Sequence, residues 1–278
     1  MKEYLQRQYN FQDISYLHAI DDVPQWSSAF GQVLLEYIPY IPEMTVLDIG
    51  CGTGYPLLEI AMRLGERSKL YGLDPWNEAL ERITYKMQHQ HISNVELLNG
   101  VGEEIPLSDG VIDLVTSNNG ISNVQDINKC IKECHRVLKT NGRIAMTFNL
   151  NKTMKQFYKI LGNILAEKEM REAQEQMNLH INQKRLPIDE ISEKLKLNGF
   201  HVNQIVKEKY NYYFIDGKSF FQHHLINMAF LPEWKKLIKE DMQDEIFGEV
   251  ERRLNVLAEC KSPLKISIPF VYMDAVKE

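Results

Sequence analysis

The sequence predicts a doubly wound α/β domain over roughly residues 41–150, and three observations carry this prediction. Short apolar runs alternate with segments whose apolar residues recur at helical spacing. The run Ile112–Thr116 shows no polar alternation after Asp113, as expected of a strand that is buried on both faces. The connecting segments form helices of about ten residues, which suits crossover connections between parallel strands. We therefore expect a parallel sheet with helices on both faces.

The elements of this predicted domain follow one another in the order of the chain. Five apolar runs are predicted as strands: Met44–Ile49, Leu70–Leu73, Val95–Leu98, Ile112–Thr116 and Arg143–Phe148. Three segments with apolar residues at helical spacing are predicted as helices: Tyr55–Leu64, Trp76–Met87 and Ile127–Leu138. The segment Lys139–Gly142 reads Lys-Thr-Asn-Gly, which predicts a turn that ends in glycine before the fifth strand.

The chain becomes mainly helical after residue 150. The later segments predicted as helical are Asn151–Lys184, Pro187–Leu197 and most of Asp216–Cys260. Two strand candidates, His201–Phe214 and Leu264–Val276, are expected to complete the sheet. We expect residues 1–40 to form an N-terminal lid segment and residues 41–150 the core. Residues 151–278 are expected to complete the core sheet and to carry an inserted helical lid.

Composition and charge narrow the range of partners. The formal net charge of −6 disfavours nucleic acid, because phosphate binding relies on clustered Lys and Arg. The N-terminal sequence lacks a signal-peptide core, and no window has the roughly 18 apolar residues that a membrane-spanning helix needs. The four cysteines show no Cys-x-x-Cys pair. We therefore expect a cytoplasmic protein with no metal site and no membrane span.

The segment Val46–Gly65, VLDIGCGTGYPLLEIAMRLG, reads as a buried strand, a glycine-rich turn and the opening of a helix. Gly50, Gly52 and Gly54 form a G-x-G-x-G pattern, in which glycine permits positive φ and a close approach of the backbone to a ligand. Asp74 lies twenty positions after Gly54, at the end of the next predicted strand. An acid at that place can accept hydrogen bonds from both hydroxyls of a ribose.

Two ligand classes fit this turn, and a turn that merely connects strand to helix is the third interpretation. A dinucleotide favours G-x-G-x-x-G with a small third residue, where this sequence has the bulky Tyr55. Asp48, two residues before Gly50, repels phosphate and suits a ligand that carries a cation. S-adenosylmethionine (SAM), with its ammonium and sulfonium groups, is such a ligand. A nicotinamide oxidoreductase is the competing interpretation.

The same residues resemble class I SAM-dependent methyltransferases, in particular the small-molecule enzymes of the ubiquinone and menaquinone type. The matching stretches are VLDIGCGTG, LYGLDPWNEAL, LLNGVGEEIPLSDGVIDLV and CHRVLKTNGRIAMTF, in the family's order within about Val46–Phe148. The resemblance implies a Rossmann-like sheet of seven strands whose last strand is antiparallel. It also implies SAM as the cofactor.

The resemblance further implies a set of cofactor-binding residues. Together with Gly54 of the same turn, they are Asp48, Gly50, Gly52, Asp74, Trp76, Gly102, Glu103 and Asn118. The glycine turn and Asp48 would line the methionine part, and Asp74 would hold the ribose. Trp76, or Pro75, would lie against the adenine face. Gly102 and Glu103 would present groups to the adenine edge, and Asn118 would lie beneath the cofactor near its transferable methyl.

Two departures of the sequence from the family concern the adenine contact and the catalytic base. Val101 stands where the family usually has an acid, so the adenine contact is expected from the backbone of Gly102 and Glu103. The segment Ser117–Val124, SNNGISNV, lacks the histidine that the family often carries there. No catalytic base is therefore assigned. Four histidines remain as candidates for a base, although histidines in such places are more often structural than catalytic: His18, His180, His223 and His224.

These observations predict a SAM-dependent methyltransferase that methylates a small molecule by in-line displacement. A base is needed only if the acceptor must lose a weakly acidic proton. The alternatives are a protein or nucleic-acid acceptor, which the acidic balance disfavours, and a non-catalytic SAM-binding protein. A set of early aromatic residues either shapes the acceptor pocket or packs within the lid: Tyr9, Phe11, Tyr16 and Trp26. The sequence assigns neither the acceptor atom nor the oligomeric state.

Overall fold

The computed structural model describes residues 2–21, 25–185, 187–260 and 263–278. Within these ranges the strands are β1 Thr45–Ile49, β2 Lys69–Asp74, β3 Val95–Asn99, β4 Ile112–Asn118, β5 Leu138–Asn149, β6 Phe200–Phe214 and β7 Leu264–Lys277. They form one seven-stranded sheet in the order β3-β2-β1-β4-β5-β7-β6. Neighbours among β1 to β5 pair in parallel, and β7 runs antiparallel to β5. The predicted fold class is confirmed.

Helices connect the strands. In the described ranges the first six are α1 Glu3–Gln6, α2 Ile14–Asp21, α3 Gln25–Tyr37, α4 Leu57–Leu64, α5 Asn77–Gln90 and α6 Ile127–Val137. The later ones are α7 Lys155–Glu167, α8 Arg171–Lys184, α9 Ile188–Leu197, α10 Gly217–Gln222, α11 Leu231–Lys236 and α12 Gln243–Cys260. A π-helical turn, Ile226–Phe230, lies between α10 and α11.

The strand order places a crevice at the centre of the sheet. In β1, Val46 pairs with Leu70 of β2 on one side and with Leu114 of β4 on the other. Because β2 and β4 flank β1, the chain leaves the centre in opposite directions after β1 and after β4. In open α/β sheets, ligands bind outside the carboxyl ends of the strands at such a point. The glycine turn follows β1 at that edge.

Two predicted elements differ in detail from the structure. Strand β5 begins at Leu138, so the predicted turn Lys139–Gly142 lies inside it. Asn141 has a left-handed φ of 62°, and the pairing with β4 shifts register between Ile112 and Leu114. The Lys-Thr-Asn-Gly segment is therefore an irregularity within a strand. The segment Asn151–Lys184, predicted as helical, forms two helices, α7 and α8, and Glu169 between them adopts a left-handed φ of 56°.

The chain divides into two compact units. The first comprises Met1–Tyr9, Leu150–Arg185 and Lys209–Pro269, and the second comprises Asn10–Asn149, Leu186–Glu208 and Phe270–Glu278. The first unit has an aromatic core, in which Phe157 and Trp234 stack with ring centroids 3.7 Å apart. The second has a mainly aliphatic core that includes Leu34, Val46 and Ile60.

In the second unit, Asp21 joins helix α2 to helix α5. Its carboxylate accepts hydrogen bonds from Arg82 Nε at 2.8 Å and from Lys86 Nζ at 2.7 Å. Lys86 Nζ also donates to the Thr53 carbonyl in the glycine turn at 2.8 Å. Burial alone would raise the pKa of Asp21, but hydrogen bonds from Lys86, Thr53 and Arg82 outweigh burial and lower the pKa. This network ties α2 to the turn through α5.

We predict that Asp21→Asn destabilises the protein by about 2–3 kcal/mol, because the largely buried cations of Arg82 and Lys86 lose a charged partner. Since the pKa of Asp21 is lowered in the folded state, its contribution is complete above the unfolded pKa and is lost as the pH falls through the folded value. Urea unfolding at neutral and acidic pH measures both effects. Glu36→Gln, at an exposed position of α3, is the control. An equal loss for both variants would contradict this account.

Candidate functional site

A cavity of about 720 Å³ lies at the carboxyl edge of the sheet in the second unit. Its volume is within the usual range for small-molecule sites. Six of the predicted cofactor-binding residues line it: Gly50, Gly52, Asp74, Gly102, Glu103 and Asn118. Pro75 lines it as well, whereas Asp48, Gly54 and Trp76 do not. The individual contacts of these residues with a cofactor stay predictions.

The glycine turn uses its own amide groups inside the protein. The amides of Gly50 and Cys51 both donate to the Leu73 carbonyl, at 2.9 and 3.3 Å. The Gly52 amide donates to Asp74 Oδ2 at 2.8 Å. Gly50 and Gly52 have left-handed φ values of 72° and 51°, which glycine adopts at no steric cost. These donors are therefore not directed at a phosphate group, in contrast to a phosphate-binding turn.

Asp74 ends strand β2 and is 8% exposed. One carboxylate oxygen accepts from the Gly52 amide, and the other accepts from the Trp76 amide at 3.0 Å. These two bonds fix the orientation of the carboxylate at the cavity wall. A carboxylate oxygen accepts more than one hydrogen bond, so both oxygens retain capacity for ligand hydroxyls.

Two buried oxygens beside the cavity lack hydrogen-bond partners. Asp48 Oδ1 accepts from the Thr116 hydroxyl at 2.7 Å, but Asp48 Oδ2 has no partner, nor has Asn119 Oδ1, among the described residues. Burial raises the pKa of Asp48 to about 7, the Thr116 hydrogen bond opposes the rise, and the charge of Asp74 adds to it. Acceptors without partners and acidic groups suit a ligand with N–H donors and positive charge.

We predict that Asp48→Asn changes how stability depends on pH. In the wild type, the folded state holds the Asp48 proton up to a pH of about 7, so stability falls as the pH rises from about 4 to about 7. The asparagine variant lacks this fall, and its stability relative to the wild type should rise across that interval by about 4 kcal/mol. Urea unfolding at pH 4.5 and pH 8 measures the difference. Parallel pH profiles for the variant and the wild type would contradict the prediction, whereas Glu36→Gln should run parallel to the wild type.

The loop after β4 lines the cavity together with the glycine turn. Gly120 lies against the glycine turn so closely that a Cβ atom there would be 2.5 Å from the Ile49 carbonyl oxygen and 3.1 Å from Gly50 Cα. Asn119 adopts a left-handed φ of 60° and lines the cavity. Sequence reasoning missed Gly120 and Asn119. An Asn-Gly pair directly after a buried strand was the available signal, because both residues tolerate unusual φ.

Asn118 connects this wall to helix α3. Its side-chain amide donates to the Ser27 carbonyl at 3.0 Å, and its Oδ1 accepts from the Thr147 hydroxyl at 2.8 Å. Trp26, one residue before Ser27, lines the cavity. Helix α3 therefore supplies an aromatic side chain to the cavity wall.

The loop after β3 completes the wall near helix α6. A Cβ atom on Gly102 would be 2.7 Å from Cys130 Sγ, so only glycine lets this loop lie on the helix. Glu103 Oε1 accepts from the amides of Gln125 and Asp126 at 2.6 and 3.0 Å. The carboxylate of Glu103 thus joins the two loops, and residues 100–103 line the cavity.

Other predicted features can be placed in the described ranges. The cavity-lining residues include no histidine, so His18, His180, His223 and His224 lie elsewhere. No group of three or more His, Cys, Asp or Glu in the described part of the chain could hold a metal ion. No helix among the described residues is long and apolar enough to cross a membrane.

The sheet order, the glycine turn and the acidic cavity together define a class of nucleoside-cofactor enzyme, and comparison with known proteins identifies the family. The sequence model of a methyltransferase domain matches residues 42–216, more than half of the chain. The chain therefore belongs to this family, the class I SAM-dependent methyltransferases.

Individual relatives are more distant. The chain is 34% identical over 113 residues to a demethylmenaquinone methyltransferase of Bacillus mycoides. The matched residues cover 41% of this chain and 48% of that protein. The chain thus spans less than half the length of such curated relatives. The YcgJ protein of Bacillus subtilis has a similar fold, with a TM-score of 0.59, 16% identity and coverage of 90% of this chain and 98% of that one. A SAM-dependent methyltransferase of Aquifex aeolicus gives a TM-score of 0.54 at 21% identity, with coverage of 70% and 92%.

Proposed function

We propose that this protein transfers a methyl group from SAM to a small-molecule acceptor. One observation carries the proposal: the cavity of a methyltransferase-family domain has acidic and acceptor walls, and the amides of its glycine turn are already used. Among the lining residues, Asp74, Glu103 and Asp126 supply the acidic character and Lys129 the positive charge, while Asp48 lies beside the cavity. A dinucleotide pyrophosphate would find few free amide donors at this turn.

The residues of the cavity fit SAM. The Asp74 carboxylate suits the ribose hydroxyls, since both its oxygens keep acceptor capacity at the cavity wall. The unpartnered oxygens of Asp48 and Asn119 suit N–H groups and positive charge. When bound, SAM supplies an activated methyl group on a sulfonium, with a neutral thioether as the leaving group.

The chain itself contributes orientation and exclusion of water. Alignment of two reactants is worth an effective molarity on the order of 10⁵–10⁸ M, so a displacement of this type needs little further help. Asn118, held by hydrogen bonds to Ser27 and Thr147, and the aromatic side chain of Trp26 both line the cavity. We propose that α3 is part of a lid, in agreement with the expected role of residues 1–40.

Two observations support the proposal that the acceptor is a small molecule. The demethylmenaquinone methyltransferases are named for a small-molecule acceptor, and the net charge of −6 disfavours a polyanion. We also propose the cytoplasm as the compartment, since the described cysteines Cys51, Cys130, Cys134 and Cys260 are all free thiols. A protein or nucleic-acid acceptor is the competing possibility.

An activity screen tests the proposal. The purified full chain is incubated with SAM and a panel of quinols, phenols, amines and thiols, and formation of S-adenosylhomocysteine is measured. Turnover with one small-molecule class, abolished by Asp74→Ala, is the expected result. Turnover only with a protein or nucleic-acid fraction would overturn the small-molecule assignment. SAM binding without turnover on any acceptor would favour a non-catalytic SAM-binding protein.

A further inference from the structure

A buried arginine in the first unit has no charged partner among the residues that the structure describes. Arg185 directly follows helix α8 and is 3% exposed. Its Nη2 donates to the Tyr158 hydroxyl at 3.1 Å. Its Nε and Nη1 atoms are buried and have no hydrogen-bond partner among the described residues. No carboxylate in the described ranges neutralises this guanidinium.

An unpaired buried guanidinium is costly, and arginine cannot escape the cost by losing its proton. Buried charges in proteins are therefore almost always paired or hydrogen-bonded on all their donors. The face of Tyr158 offers partial compensation, since its ring centroid lies 4.8 Å from the guanidinium carbon. The two free nitrogens remain uncompensated.

The groups around Arg185 are donors as well. The Tyr158 oxygen already accepts from Arg185 and from Trp234 Nε1, the latter at 2.9 Å. The hydroxyl hydrogen of Tyr158 has no acceptor among the described residues. Arginine and the tryptophan indole have donors only, so this cluster offers N–H and O–H groups and no free anionic acceptor.

Aromatic side chains keep water from the cluster. Tyr158 is 6% exposed, and Trp234 is completely buried and stacked on Phe157. Charges attract each other more strongly in such surroundings than in water. A planar guanidinium with free N–H groups, next to a tyrosine hydroxyl, matches the geometry of an oxyanion.

We infer that Arg185 and Tyr158 form a binding site for the oxyanion of a small molecule, a carboxylate or a phosphate. The anion would accept hydrogen bonds from the free guanidinium nitrogens and from the Tyr158 hydroxyl, and it would neutralise the buried charge. This site goes beyond the proposed methyl transfer and does not depend on it.

Anion binding to the full chain tests the inference. Benzoate, phenyl phosphate and inorganic phosphate are titrated calorimetrically into the wild type and Arg185→Gln, with ionic strength held constant by sodium chloride. We expect at least one probe to bind the wild type, with an affinity at least about tenfold higher than for the variant. A stronger response to benzoate assigns a carboxylate, and a stronger response to the phosphates assigns a phosphate ester or free phosphate.

Matched variants distinguish a loss of anion contacts from a general loss of structure. Arg171→Gln removes an exposed arginine at the start of helix α8, the helix that Arg185 follows, and this variant should bind the anion like the wild type. Tyr158→Phe should weaken anion binding. Arg185→Lys should retain part of the affinity, because lysine keeps the positive charge but lacks the planar set of guanidinium donors. Equal binding by wild type and Arg185→Gln, or no binding of any probe to the wild type, would overturn the inference.

A direct spectroscopic readout on the wild type covers the case in which Arg185→Gln does not fold. The Nε–H resonance of Arg185, assigned by its absence from the spectrum of Arg185→Lys, should shift when the anion is added. A resonance that stays in place at saturating phosphate and benzoate would contradict the proposed site.

Discussion

Replacement of Asp74 by alanine is expected to weaken SAM binding by at least about 100-fold, because in the proposed complex two ribose hydroxyls would lose a charged acceptor worth about 1.5–3 kcal/mol for each hydrogen bond. The same carboxylate also accepts from the amides of Gly52 and Trp76. Its removal therefore loosens the glycine turn as well as the ribose contact. Calorimetric titration with SAM measures the affinity.

Two further variants make this prediction specific. Asp74→Asn keeps one oxygen acceptor but loses the charge, so its affinity should lie between those of the wild type and the alanine variant. Glu81→Ala removes an exposed carboxylate from helix α5 and should leave SAM binding unchanged. An Asp74→Ala protein that folds and binds SAM like the wild type would contradict the assigned ribose contact.

Gly120→Ala is expected to destabilise the protein by about 2 kcal/mol and to weaken SAM binding about tenfold, because an added methyl group meets backbone that cannot move freely. The new Cβ atom would lie 2.5 Å from the Ile49 carbonyl oxygen and 2.9 Å from Ser117 Oγ. The loop after β4 must then move away from the glycine turn, which changes the shape of the cavity. Urea unfolding and SAM titration measure the two effects.

Gly248→Ala is the matched control for this substitution. Gly248 lies within helix α12, where an added Cβ would meet only Lys2 Cε, at 3.7 Å. Alanine favours helices over glycine by about 1 kcal/mol, so this variant should be slightly more stable and should bind SAM normally. A Gly120→Ala protein with unchanged stability and affinity would show that the two loops are not in tight contact.

The sheet and its ligand edge were predictable from the sequence because both depend on local patterns. Buried parallel strands read as continuous apolar runs, and Gly50, Gly52 and Asp74 stand at fixed distances from the ends of their strands. The structure brings these three residues to one cavity. The antiparallel last strand followed from the resemblance to a known family, since no local pattern distinguishes it.

The other parts of the site depend on contacts between residues far apart in the chain. Asn118 meets Ser27 across 91 positions, and Trp26 reaches the cavity through the placement of α3. The Asn-Gly pair after β4 marks an unusual loop, but the sequence does not show that Gly120 lies close to Gly50. The break at Glu169 was missed because the apolar stripe indicates a helix but not where a left-handed residue ends it.

We expect the glycine-turn cavity to bind SAM and not a dinucleotide. The most direct measurement is calorimetric titration of the full chain with SAM, S-adenosylhomocysteine and NADH under identical conditions. We expect SAM and S-adenosylhomocysteine to bind with micromolar affinity and NADH not to bind. Binding of NADH alone, or of none of the three ligands, would contradict this expectation.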